Sequence, residues 1–205
     1  MSKPLLVIVS GPSGVGKTTI SRALRDAFDD ADLSVSCTTR PKAPTDTDGV
    51  DYHFITEEEF EKRVSDPAGP QGLGQFLEHA GVYGKRYGTL RKPVDDALAQ
   101  GRLVILEIDV QGALQVKQRA PSALAILILP PSEQSLLARL RGRGRDSEEV
   151  IQKRFAAAKR DIEAANESGV YDVTIVNRDL DQATAEAVAA VRNARNWPRS
   201  PSDGA

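Results

Sequence analysis

The sequence predicts an α/β fold in which a parallel sheet is covered by helices on both faces. Three observations carry this. Short, largely apolar runs at 5–9, 103–108, 124–129 and 172–176 read as buried parallel strands. Segments with helical spacing lie between them, at about 17–28, 91–100, 132–141, 147–166 and 181–195. The first apolar run passes directly into Gly11-Pro12-Ser13-Gly14-Val15-Gly16-Lys17-Thr18, an unbroken G-x-x-x-x-G-K-[ST]. Strand and helix in alternation give a parallel sheet, because a parallel return needs a crossover.

The elements follow in chain order. Leu5-Leu6-Val7-Ile8-Val9 is a buried strand, too short for a signal peptide. The glycines behind it free the backbone to curl, and a helix begins at Lys17. Several N–H groups and a helix N-terminus then face one point, which suits a chain of phosphates. Lys17 supplies a mobile positive charge and Thr18 a hydroxyl ligand for Mg²⁺, so the chain is expected to bind a nucleoside triphosphate.

Residues 34–90 break the alternation. Ser, Thr, Gly, Pro and aromatic residues dominate, with short β-like pieces at 34–38, 51–55 and 75–79, and read as a small β-rich subdomain inserted into the core. The stretch from Asp66 to Gly74 is expected to be an exposed loop. Ser36, Arg40, Lys42, Tyr52, Glu78, Tyr87 and Thr89 all fall in this insertion. Arginine forks onto phosphate oxygens and tyrosine adds neutral donors, yet tyrosines also suit half-buried strands, and the residues alone leave both readings open.

After the insertion, the strand at 103–108 leads into Glu107-Ile108-Asp109. Positions two apart on a strand share a side, so both acids are expected at the sheet's carboxyl end, where they could hold a hydrated Mg²⁺ or accept from a ligand's N–H groups. Helix starts are marked by Ser132-Glu133 and by Asp146-Ser147-Glu148-Glu149. Between them Arg139, Arg141, Arg143 and Arg145 fall at alternate positions with Gly142 and Gly144 inside the run, and Arg154 follows at helical distance. Such a run is either a solvated face or a mobile connection that closes over a triphosphate. The tail from Trp197 lacks apolar periodicity and is expected to be disordered.

Composition excludes several classes. Lys plus Arg number 27 against 29 Asp plus Glu, a formal net charge of −2, so no basic excess points to nucleic acid or a membrane surface. Cys37 is the one cysteine, which rules out an intramolecular disulfide. No apolar stretch reaches spanning length, and a cytoplasmic location is expected. His53 and His79 lack metal-ligand spacing, and no nucleophile relay is visible. Phosphoryl transfer needs neither, being mainly a matter of positioning and charge.

Taken in order, these motifs resemble those of the guanylate kinases, a group of nucleoside-monophosphate kinases with the P-loop fold. The likeness runs through Ser-Gly-Pro-Ser-Gly-Val-Gly-Lys-Thr at 10–18, Val-Ser-Cys-Thr-Thr-Arg-Pro at 35–41 and Gly-Val-Asp-Tyr-His-Phe at 49–54. It continues through Tyr-Gly at 87–88, Glu-Ile-Asp-Val-Gln-Gly at 107–112, Gly-Arg-Gly at 142–144 and Ile-Val-Asn at 175–177. The resemblance implies one guanylate-kinase-like domain over 1–196, with 34–90 as the GMP-binding subdomain, about 132–158 as an arginine-rich lid, and ATP and GMP as substrates. It implies that Glu78 takes guanine's N1–H and exocyclic amino donors, with Asp109 a second acid near the base, Ser36 directed at O6 and Thr89 in the same pocket. Arg40, Tyr52 and Tyr87 correspond to ligands of the GMP phosphate. Arg139, Arg143 and Arg154 correspond to arginines around the transferring phosphoryl, and Glu107 joins Asp109 on the substrate side.

One departure stands out. Members of the group usually carry a second phosphate-binding arginine three residues after the first, where this chain has Ala43, and a Glu where it has Asp46. Lys42 is the expected substitute. Two other readings are a related kinase with a different phosphate acceptor and a non-catalytic interaction domain of guanylate-kinase type. The unbroken phosphate loop argues against the second. A GTPase switch is disfavoured because no Asn-Lys-x-Asp occurs.

Overall fold

A computed structural model of the chain describes residues 3–70, 73–142, 144 and 147–196. Arg143, Arg145, part of the 66–74 loop and the 197–205 tail therefore lie outside the described residues. Along the chain come β1 (Leu5–Ser10), α1 (Lys17–Asp26), β2 (Ala31–Leu33), β3 (Cys37–Thr38), β4 (His53–Phe54), α2 (Glu57–Val64), β5 (Phe76–Val82) and β6 (Lys85–Leu90). They are followed by α3 (Arg91–Ala99), β7 (Leu103–Glu107), α4 (Val110–Arg119), β8 (Leu124–Leu129), α5 (Glu133–Arg141), α6 (Glu148–Ser168), β9 (Val173–Val176) and α7 (Leu180–Asn196). No helix among the described residues is long and apolar enough to cross a membrane.

Five strands form an all-parallel sheet in the order β2-β7-β1-β8-β9. Alternation along each strand divides the core in two. Val7, Val9, Ile105, Ile126 and Ile128 meet Ile20 and Leu24 of α1, Leu136 and Leu140 of α5, and Ala183, Ala187 and Val191 of α7. Leu6, Ile8, Val104 and Leu106 face the other way, onto Val94 of α3 and Ala113 and Val116 of α4. Burying each such Leu or Ile is worth about 1.5–3 kcal/mol, so strands apolar on both faces are held from both sides. A second sheet, β4-β3-β6-β5, is mixed: β3 runs parallel to β4 but antiparallel to β6. Phe60 of α2 stacks on Phe76 with ring centroids 4.6 Å apart, giving that sheet its own small core with Cys37.

The structure adds elements that residue patterns miss. The core sheet has β2 as a fifth strand, where the sequence suggests four. α2 shows only Phe60 and Val64 as apolar signals, and its start rests on Thr56, whose hydroxyl accepts from Glu59 N–H. α4 carries Gly112 in its first turn, a poor helix former that hides it from propensity. β6 reads Lys-Arg-Tyr-Gly-Thr-Leu, too polar for a strand until β3 and β5 flank it. One expectation needs correction: β7 stops at Glu107, and Asp109 is the N-cap of α4. The two acids are therefore not alternate residues of one strand, and they diverge.

Candidate active site

The carboxyl ends of β1, β7 and β8 open on one place, and the loop after β1 fills it. Gly11 has φ of 140°, and a Cβ there would stand 2.2 Å from the Ile128 carbonyl oxygen, so only glycine lets the loop pass the end of β8. α2, α4, α5 and α6 each begin on a side chain that accepts a backbone N–H; α1 begins on Gly16 with no such cap and no acid in its first turn. Its first-turn N–H groups and positive dipole end suit an anion. Lys17 Nζ folds back over the loop and donates to the carbonyls of Gly11 (2.6 Å) and Pro12 (3.0 Å). Pro12 and Val15 are buried, while Ser13 and Gly14 are half-buried, so the loop is a rigid rim with an open mouth.

Thr18 Oγ1 donates to Glu107 Oε1 at 2.6 Å, across the gap between α1 and β7. A hydroxyl and a carboxylate oxygen side by side, next to a phosphate-type loop, make the donor set that Mg²⁺ uses when phosphates supply its remaining ligands. The described residues hold no cluster of three His, Cys, Asp or Glu that would cage a metal by itself.

Glu78 lies on β5, 3% exposed. Its Oε1 accepts from both the N–H (2.9 Å) and the hydroxyl (2.6 Å) of Thr89 on the facing β6. The Ser36 hydroxyl lies 3.4 Å from that of Thr89. Oε2 is turned towards the start of α4: a Cβ on Gly112 would stand 2.6 Å from it and 3.4 Å from Asp109 Oδ1, which accepts the Gly112 N–H at 2.7 Å. Gly112 is therefore what lets the two acids share a pocket. Burial raises the Glu78 carboxyl to about 7, the Thr89 hydroxyl opposes that, and the Asp109 charge adds to it. Two acids and two hydroxyls in a buried pocket make a lining of acceptors for a flat, donor-rich ligand.

A second cationic site adjoins. Arg40 Nη1 donates to Asp46 Oδ2 at 2.9 Å, and that oxygen also takes the Ala43 N–H at 2.7 Å. The guanidinium lies 5.4 Å from the ring centres of both Tyr52 and Phe54, and Tyr52 meets Tyr87 edge-on at 5.7 Å. Burial, followed by the charge of Glu107, pushes the Tyr52 phenol up to about 12. Glu107 thus neighbours both Thr18 of the phosphate loop and Tyr52 of the arginine–tyrosine group. Lys42 is exposed and forms no hydrogen bond or ion pair with the described residues.

The arginines expected in a lid separate. Arg139 Nη2 donates to the Asn177 carbonyl at 2.8 Å. Arg141 forks onto Glu148 (2.6 and 3.1 Å), which clips the two helices together and holds the Glu148 carboxyl down at about 2. Arg154 leans over the ring of Tyr83 at 5.6 Å.

Sequence reasoning left two residues without a role. The side-chain amide Nδ2 of Asn177 donates to the Val15 carbonyl at 2.7 Å while its main-chain carbonyl accepts from Arg139, so one buried residue braces the phosphate loop and an arginine. It stood inside the matched Ile-Val-Asn string without an assignment. Asp161 is half-buried, its carboxyl raised by burial and by Asp109 and lowered by Lys17. The signal for it was present: Asp161 lies two turns from Arg154 on the same helical face.

The family model described as guanylate kinase matches residues 3–194 of the chain. A guanylate kinase of Anaeromyxobacter dehalogenans is 47% identical over 93% of this chain and 81% of its own length. One from Thermosynechococcus vestitus is 48% identical, covering 91% and 92% respectively. Among solved structures, the guanylate kinase of Anaplasma phagocytophilum superimposes with a TM-score of 0.76 at 28% identity, over 96% of this chain and 88% of that one.

Proposed function

This chain belongs to the guanylate kinase family, and we propose that the two anion sites meeting at Glu107 are where ATP and GMP face each other. The reaction is transfer of the γ-phosphoryl group of ATP to GMP, giving ADP and GDP. The observation that carries the reading of the site is Glu78, buried against Thr89 and beside Asp109. Guanine offers N1–H and an exocyclic amino group as adjacent donors, which a carboxylate accepts together. Adenine presents an unprotonated N1 and would leave that carboxylate unpaired.

The remaining roles follow from charge. Gly11 to Thr18 cradle the ATP phosphates, with Lys17 lifting from its loop carbonyls to the phosphate oxygens. Arg40, oriented by Asp46, and the phenols of Tyr52 and Tyr87 bind the GMP phosphate, leaving its nucleophilic oxygen towards the loop. Thr18, with Glu107 behind it, would hold Mg²⁺, which when bound neutralises charge on the phosphates. A phosphate monoester has its second pKa near about 6, so GMP arrives largely dianionic and no general base is needed. Arg139 and Arg154, with Arg143, gather charge at the transferring group, where an arginine is worth most. Residues 1–196 form the kinase domain, 34–90 its GMP-binding subdomain and 132–158 its lid. A cytoplasmic location is inferred, where ATP and GMP are both at hand.

An ADP-release assay across GMP, dGMP, AMP, CMP and UMP tests the acceptor. Guanine nucleotides turn over and AMP is rejected; comparable rates with AMP would show that the Glu78 pocket does not read the base.

Lys42 is assigned to the GMP phosphate in place of the arginine missing at 43. An ammonium on a flexible stem adds charge there without a fork. Lys42→Ala accordingly raises KM for GMP by about 3- to 10-fold, the worth of one exposed charged contact, and leaves KM for ATP unchanged. A GMP titration of the variant decides this, and an unaltered KM would leave Arg40 and the tyrosines as the whole phosphate site.

A further inference from the structure

The β5–β6 hairpin turns on two residues, Tyr83 and Gly84, with φ of 51° and 72°. Positive φ at both is the signature of a type I′ turn, whose first position favours Asn, Asp or Gly because a larger side chain crowds the backbone there. Tyr83 is the one non-glycine among the described residues with positive φ, and it is 50% exposed. Neither turn formation nor core burial accounts for a tyrosine at this position, and a strained outlier near a site points to a functional reason.

The ring supplies that reason. It lies under the Arg154 guanidinium, and the charges acting on its phenol, Arg154, Asp161 and Arg160, all come from α6. The hairpin tip is thus docked against the lid helix. We propose that Tyr83 is a positioning residue for Arg154, holding the guanidinium by a cation–π contact so that it meets the transferring phosphoryl. The same two-stranded ribbon carries Glu78, Tyr87 and Thr89, in one register from base pocket to tip. Guanine bound at one end of the ribbon therefore steadies, at the other, the arginine that neutralises charge. The inference rests on Arg154 acting at the phosphoryl group, as assigned above.

Steady-state kinetics of Tyr83→Gly, Tyr83→Phe, Arg154→Ala and the double variant Tyr83→Gly/Arg154→Ala test it. Glycine relieves the positive φ, so Tyr83→Gly folds with an unchanged or higher Tm. Its kcat falls on the order of 5- to 30-fold, the rate equivalent of a partly desolvated cation–π contact, with KM for GMP and ATP unchanged. Tyr83→Phe keeps the ring face and restores kcat. Arg154→Ala loses on the order of a hundredfold or more, and adding Tyr83→Gly to it costs nothing further. Normal kcat in Tyr83→Gly, or a loss that adds fully to that of Arg154→Ala, overturns the role of Tyr83 alone. Normal kcat in Arg154→Ala overturns the lid assignment itself, and the role of Tyr83 with it. Should Tyr83→Gly fold poorly, Tyr83→Asn, which also suits the turn, is read in the same way.

Discussion

Replacing Lys17 with alanine lowers kcat by about a thousandfold or more while the protein remains folded. Lys17 is the first residue of α1, partly exposed, and its ammonium donates to the loop carbonyls of Gly11 and Pro12. Nothing in the core depends on it. Those carbonyls give modest neutral partners, whereas a triphosphate offers charged oxygens whose charge shifts as the phosphoryl leaves. The ammonium therefore interacts more strongly with the transition state than with the bound ground-state triphosphate, which is the condition for a loss in kcat rather than in binding alone. Turnover measured beside a circular-dichroism melt checks both halves of this. A folded Lys17→Ala protein with near-normal kcat would remove the phosphate loop from the mechanism.

Glu78→Ala costs about 2–4 kcal/mol in kcat/KM for GMP, some 30- to 1,000-fold, through loss of two charge-assisted hydrogen bonds. Discrimination against AMP shrinks by a comparable factor. The same carboxyl gives a pH signature. With its pKa raised to about 7 by burial, Glu78 is largely protonated in the free protein below neutrality, and a protonated carboxyl cannot accept both guanine donors. Affinity for guanosine, which lacks the titrating phosphate of GMP, therefore falls as pH drops below about 7 and levels off above it, and binding near neutrality releases a proton. Folding shows the opposite trend. The folded state holds a proton that the unfolded chain has given up above its ordinary pKa of 4.5, so this group's contribution to stability declines as pH rises from 4.5 to about 7. Glu78→Ala removes that decline with pH, while the Thr89 N–H and hydroxyl lose their acceptor, which lowers Tm at every pH. Guanosine titrations at several pH values, with melts alongside, measure both trends; a pH-independent guanosine affinity would mean that Glu78 is ionised throughout.

Residues 5–18 alone determined much of this protein. A strand apolar on both faces followed by Gly-x-x-x-x-Gly-Lys-Thr fixes a local geometry, because the glycines, the uncapped helix start and Lys17 are all within fourteen consecutive residues. β7 and β8 were legible for the same reason: burial on both faces leaves a nearly continuous apolar run. The ordered motifs along the rest of the chain carried the family. What the sequence could not express was anything set by partners distant along the chain. β6 is polar and becomes a strand only between β3 and β5. Glu107 and Asp109, two residues apart, look equivalent, yet β7 ends between them, and one turns to Thr18 while the other caps α4 near Glu78. The pairing of Asn177 with Val15 spans the whole core, and the contact of Arg154 with Tyr83 joins α6 to a turn 71 positions earlier. Local patterns encode what neighbours along the chain enforce; the electrostatics of a buried carboxyl and the placement of Arg154 depend on which surfaces the fold brings face to face, and only the tertiary structure decided those.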